Sequence, residues 1–145
     1  MLLQHLLHHH LHHKGEVDVS DKNIEDLTAA KAIVNQAWGN PATYHELLRK
    51  SQTRLEAALQ RRPDDVAVLT CLGAVLCDLH LHGQAHEHLA RAISLGSTDW
   101  NTYFNAFIAM LAFATIDDAR AMLTQAAGLE ADPMTWQAYF DPHAM

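Results

Sequence analysis

An echo at a spacing of 34 residues constrains this chain more than any other feature. Leu69, Leu72, Gly73, Leu76, Ala85, Leu89 and Ala92 form one set, and adding 34 gives Tyr103, Ala106, Phe107, Met110, Ala119, Leu123 and Ala126. Leu55, Ala58 and Pro63 stand one period before Leu89, Ala92 and Ser97. A fixed period of this length is the signature of stacked helix pairs, in which each pair buries its apolar face on the next. Such stacks present long surfaces suited to binding partners.

The rest of the sequence agrees with an all-α fold. The chain has 145 residues, 49% hydrophobic and 19% charged, which suits a folded domain rather than a disordered one. No alternating run rich in β-branched residues and bounded by turn residues is present. Helix stops and starts are written in short signals. Ser20 or Asp21 is placed to cap a helix running to about Trp38, after a His/Leu-rich tail and linker over residues 1–20. Gly39-Asn40-Pro41 closes that helix and opens one over 41–61, with Asn40 as the cap. Arg62-Pro63-Asp64-Asp65 and Gly96-Ser97-Thr98-Asp99 punctuate again, giving helices over 65–80, 84–95, 99–113 and 117–128. Asp132-Pro133 starts a last short helix from Met134 to Phe140. The helical domain thus spans 21–141, with connections short enough for antiparallel neighbours.

Residues 66–99 resemble a tetratricopeptide repeat. Leu69, the Leu72-Gly73 pair and Leu76 match its first helix, and Ala85, Leu89 and Ala92 its second, with Ser97 in place of the family's proline. Residues 100–133 are a weaker copy, in which Ala106-Phe107 inverts the large-small pair. Residues 32–65 match only in their second half. The resemblance implies a short right-handed stack of antiparallel helix pairs, about three degenerate repeats plus a C-terminal capping helix. It also implies a non-enzymatic module, an adaptor or chaperone, that holds a protein or peptide partner in a concave groove. The first helix of each repeat lines that groove in the family. Carried over by position, the lining is Thr70, Ala74, Cys77 and Asp78, then Asn101, Phe104, Ile108 and Phe113, with Ala67 and Ala112 beside them. One side is small and the other apolar, which fits an apolar or amphipathic segment. Phe104, Ile108 and Phe113 have a competing assignment as core against another helix of the same chain.

Charge and metal-ligand chemistry point to fewer options. Net charge is −7, which gives no basic footprint for nucleic acid. The one basic stretch, Arg49, Lys50, Arg54, Arg61 and Arg62, reads as a solvated helix face or, alternatively, a site for phosphate or an acidic peptide. No apolar stretch reaches membrane-span length, and the N-terminus lacks the basic region of a signal peptide, so a cytoplasmic location is expected. Cys71 and Cys77 diverge on one helix, so they read as free thiols.

The 12 histidines cluster at His5–His13 and around His80, His82, His86 and His88. Metal binding or delivery through these imidazoles is an alternative function. Against it, the first cluster reads as a tag or low-complexity tail and the second as a solvated loop. His45-Glu46 lacks a second histidine four residues on, where Arg49 stands, so the zinc-protease motif fails. No phosphate loop or nucleophile elbow is present, and no catalytic residue, cofactor or metal ligand is assigned. A third reading is a self-associating module, possible as a homodimer, in which Leu3, Leu7 and Leu11 lie in a neighbour's groove.

Overall fold

The computed structural model describes residues 18–140. Among them are six α-helices and one 3-10 turn. Helix α1 is Val19–Trp38, followed by the 3-10 turn Pro41–Thr43 and α2, Tyr44–Arg61. Helices α3 (Val66–Asp78) and α4 (His82–Ser94) come next, then α5 (Trp100–Met110) and α6 (Ile116–Gln125). The fold is all-α, as the sequence implies. The Leu/His stripe, the histidines before residue 14 and the linker through residue 17 lie outside the described residues.

The polar punctuation acts largely as expected. Asp65, Asp99 and Thr115 cap α3, α5 and α6 by accepting from Val68 N–H, Asn101 N–H and Asp118 N–H. Two expected caps differ. Asp18, not Ser20 or Asp21, caps α1 through Ser20 N–H. The Asn40 side chain makes no capping bond, and the chain first makes a 3-10 turn over Pro41–Thr43. Helix α5 is also shorter than expected, ending at Met110 rather than near residue 113.

Helices α1 and α2 run antiparallel. Asn23, near the start of α1, donates to Ala58 O near the end of α2, while Ser51 donates to Ala30 O midway. Helix α3 packs on α4, and their crossing is closest at Gly73: a Cβ there would fall 2.5 Å from Leu89 Cδ2. Leu69, Leu72, Leu76, Ala85, Leu89 and Ala92 are all buried, as are Tyr103, Ala106, Phe107, Ala119 and Ala126 one period on. The spacing of 34 therefore marks burial, each large side chain stabilising the fold by about 1.5–3 kcal/mol. Helix α3 also packs on α5, where Thr70 and Thr102 share a hydrogen bond of 2.6 Å and Thr102 another with Ser97 of 2.7 Å.

The basic stretch on α2 is not simply a solvated face. Arg54 pairs with Asp26 at 2.7 Å, Arg61 pairs with the same carboxylate, and Asn23 links Arg61 to Asp65. These contacts join α1, α2 and the cap of α3.

The largest departure from expectation is at the C-terminal end. No helix forms over Met134–Phe140. A turn at Asp132–Thr135 is held to α1 by Lys31, and irregular chain beyond it crosses α5 and reaches α3. A seven-residue helix has few internal hydrogen bonds and is marginal by itself. Here side chains of the helical body take the backbone groups that a helix would have paired.

Candidate peptide groove and adjoining cavity

The chain's own segment 130–140 lies against part of the face that the sequence suggested as a groove. Each contact can be traced from the residue that makes it. Asp99, already the cap of α5, also accepts from Asp132 N–H at 2.9 Å and from the Thr135 hydroxyl at 2.7 Å. Trp100 N–H, free because it opens the helix, donates to Glu130 O at 2.9 Å. Asn101 donates its amide to the Thr135 hydroxyl at 2.9 Å. Lys31 reaches from α1 to Pro133 O at 2.8 Å.

Asn105 grips the segment from both sides of its amide. Its side-chain N–H donates to Trp136 O at 3.1 Å and to Thr70 O at 3.2 Å, while its Oδ1 accepts from Ala138 N–H at 2.8 Å. One amide thus satisfies both a carbonyl and an N–H of the segment, two residues apart. A helical ligand has no such pair to offer mid-segment, since its N–H and C=O groups bond each other. Asp78 continues the grip on α3, accepting from Tyr139 N–H at 2.9 Å. Phe140 then sets its ring against Phe104 and Phe107, with centroids 6.1 and 5.8 Å away.

The eight residues read from the sequence as groove lining divide into four groups. Asp78, Asn101 and Phe104 touch the segment directly. Cys77 and Ile108 line a cavity at its end, and Cys77 donates weakly to Asn105 O. Thr70 and Ala74 are fully buried; Thr70 spends its hydroxyl on Thr102, in the seam between α3 and α5. Phe113 is not in the groove. The end of α5 at Met110 breaks the helical register, and Phe113 stands 56% exposed with its ring against His86 on α4. The competing core assignment holds for Ile108, which is buried, and in part for Phe104, which is covered by the same chain's Phe140.

Sequence reasoning missed Asn105, Lys31 and Tyr44. The signal for Asn105 was present: an amide in the middle of the apolar run Tyr103–Met110 must find partners, because a buried unpaired amide is costly.

The cavity has a volume of about 410 Å³. Tyr44 of α2, Asp78 of α3, and Ile108 and Leu111 at the end of α5 form its walls together with Tyr139 and Phe140. His80 and His82 stand at its edge, their rings 5.8 Å apart. Burial pushes the Asp78 carboxyl up to about 6, against the opposing pull of Tyr139 N–H. Burial, and then the Asp78 charge, raise the Tyr44 phenol above its ordinary value. Burial and the neighbouring His80 lower His82 and favour its neutral form. Burial also raises both thiols, which keeps Cys71 and Cys77 protonated and unreactive.

Among the described residues, no three His, Cys, Asp or Glu side chains are grouped to hold a metal ion. His86 and His88 are separately engaged or half-buried rather than converging with His80 and His82. No helix among the described residues is long and apolar enough to cross a membrane. No family model matches the chain, and comparison with curated proteins and with solved structures returns no match either.

Proposed function

We propose that this chain is a non-enzymatic interaction module of the tetratricopeptide-like kind, whose inner face grips an extended peptide. The observation that carries the reading is segment 130–140, tied by its backbone to Lys31, Asp78 and Asn105. Contacts to backbone rather than to side-chain tips suit a surface that accepts more than one sequence. The sequence alone favoured an amphipathic or apolar partner; the Asn105 grip favours an extended one. The packing of α3 on both α4 and α5, and the burial at a period of 34, support the stacked-pair architecture. In this reading the C-terminal segment is a ligand in cis, and a partner segment competes with it.

A labelled peptide of residues 130–140 tests the reading in fluorescence anisotropy. Full-length chain carrying Trp136→Ala and Phe140→Ala has a weakened cis segment. It should bind the peptide at least about tenfold more tightly than wild type does, because the occupant no longer competes. Adding Asn105→Ala should remove that gain. Failure of the weakened-segment variant to bind the peptide would sink the proposal. Asn105→Ala is a better probe than Phe104→Asp with Ile108→Asp, since Ile108 is buried and a charge there threatens the fold.

A further inference from the structure

The cavity beside the segment holds a carboxylate, Asp78, with no ion-pair partner among the described residues, although His80 and His82 also line it. Asp78 Oδ1 accepts one hydrogen bond, from Tyr139 N–H, and its second oxygen has no hydrogen-bond partner among the described residues. Both ion pairs among those residues belong to Asp26, so no lysine or arginine of the helical body reaches Asp78. Asp78 is partly buried, and a carboxylate partly withdrawn from water is ordinarily paired, because lost hydration without compensation is expensive. The contrast within one molecule is direct: Asp26 has two guanidinium partners and Asp78 has none.

The surroundings of Asp78 indicate what would compensate it. Tyr44 and Tyr139 present aromatic surface, and both pack on Trp38, with ring centroids 5.5 and 5.6 Å away. Ile108, Leu111 and Phe140 supply an apolar floor. Aromatic faces attract cations through the ring quadrupole, and a carboxylate beside them adds a charged hydrogen-bond acceptor. The volume falls within the range of small-molecule sites, roughly 300–1,000 Å³. An anion would meet the Asp78 charge, and a neutral apolar molecule would leave it unpaired. A metal ion would lack the third protein ligand.

We infer that this cavity is a binding site for a primary ammonium group carried on an apolar body. The ammonium lies against Asp78, and the body rests on Ile108, Leu111 and Phe140. The site shares Asp78 with the grip on the segment and takes Tyr139 and Phe140 from that segment, so it is complete while residues 130–140 lie in place and does not require a partner in the groove. Two sources share this chemistry, a free amine and the lysine side chain of a partner.

The test uses the full-length chain and three probes: 2-phenylethylamine, its neutral counterpart 2-phenylethanol, and Nα-acetyl-lysine methylamide. Calorimetry gives affinities, and amide chemical shifts locate binding. Wild type should bind 2-phenylethylamine at least about tenfold more tightly than the alcohol, with shifts at Tyr139 and Ile108. Asp78→Asn removes the charge but keeps an acceptor for Tyr139 N–H, and should lose at least about tenfold in amine affinity with circular dichroism unchanged. Tighter binding of the lysine derivative than of 2-phenylethylamine assigns the site to a partner's lysine; the reverse assigns it to a free amine. Equal affinity for amine and alcohol, no amine binding, or shifts elsewhere would overturn the inference. The amine-to-alcohol comparison on wild type decides the matter even if Asp78→Asn does not fold.

Discussion

At the scale of single residues, the closest helix contact is the most sensitive position. Gly73 on α3 faces Leu89 on α4, and a Cβ at residue 73 would lie within 2.8 Å of three Leu89 side-chain carbons. Two effects of Gly73→Ala oppose each other. Alanine is favoured over glycine in a helix interior by about 1 kcal/mol. Overpacking a filled core costs about 1–3 kcal/mol. Leu89 is fully buried and has nowhere to retreat, so the clash wins. Gly73→Ala should therefore destabilise the chain by up to about 2 kcal/mol net in urea unfolding. Leu89→Ala alone should cost about 2–5 kcal/mol. The double variant should cost clearly less than the two added together, since each change accommodates the other. Strict additivity would show that the two helices are not in contact at this point. The leucine-glycine pair made this crossing visible in the sequence, because a glycine inside an apolar helix needs a packing reason.

At the scale of elements, the six helices were legible and the last segment was not. Helix ends are set by local chemistry: a glycine that stops, an aspartate that caps, a proline that starts. Such signals work at Gly39, Asp65 and Asp99 whatever lies elsewhere in the chain. Asp132-Pro133 carries the same local signal, and it does form a turn, with Asp132 Oδ1 accepting from Met134 N–H. Beyond that turn the path of the chain is decided by partners far away in sequence. Ala138 N–H and Tyr139 N–H bond to Asn105 and Asp78, 33 and 61 residues distant, and no local pattern announces that. The same limit explains the candidate site. Asp78, Asn101 and Phe104 were found because the resemblance to a tetratricopeptide repeat marks those positions of its first helices as groove lining. Phe113 was misplaced because α5 stops three residues before it. A test of the C-terminal segment is Ala138→Pro, which deletes the N–H that Asn105 receives. Losing the bond and leaving the Asn105 oxygen unpaired should cost about 1–3 kcal/mol. It should also speed chymotrypsin cleavage at Trp136 and Tyr139, read by mass spectrometry. Unchanged cleavage would mean that the segment is held without Asn105.

At the scale of the whole molecule, two carboxylates give stability opposite dependences on pH. Burial alone would raise the Asp26 carboxyl, but the Arg54 and Arg61 guanidiniums hold it below its ordinary value. Asp26 therefore adds stability above the unfolded value, about pH 3.9, and that stability is lost as pH falls through the lower folded value. Asp26→Asn should cost about 1.5–3 kcal/mol at pH 7, with the gap closing below about pH 4. Asp78 behaves in the reverse sense. With its folded value raised to about 6, the folded chain takes up a proton there that the unfolded chain takes up only near pH 3.9. Stability is lost as pH rises from about 4 through about 6. Asp78→Asn should therefore stabilise the chain by about 1–3 kcal/mol at pH 8, and the gain should vanish by about pH 4. The two windows do not overlap, so urea midpoints between pH 3 and 8 separate the residues. A carboxylate that weakens its own fold at neutral pH is the expected cost of a site built for a cation. The cavity proposal then predicts how that cost is recovered. At ten times its dissociation constant, 2-phenylethylamine should raise wild-type stability by about 1.4 kcal/mol and leave Asp78→Asn nearly unmoved. A loss of stability in Asp78→Asn at pH 8 would show instead that the Asp78 charge is already compensated within the chain.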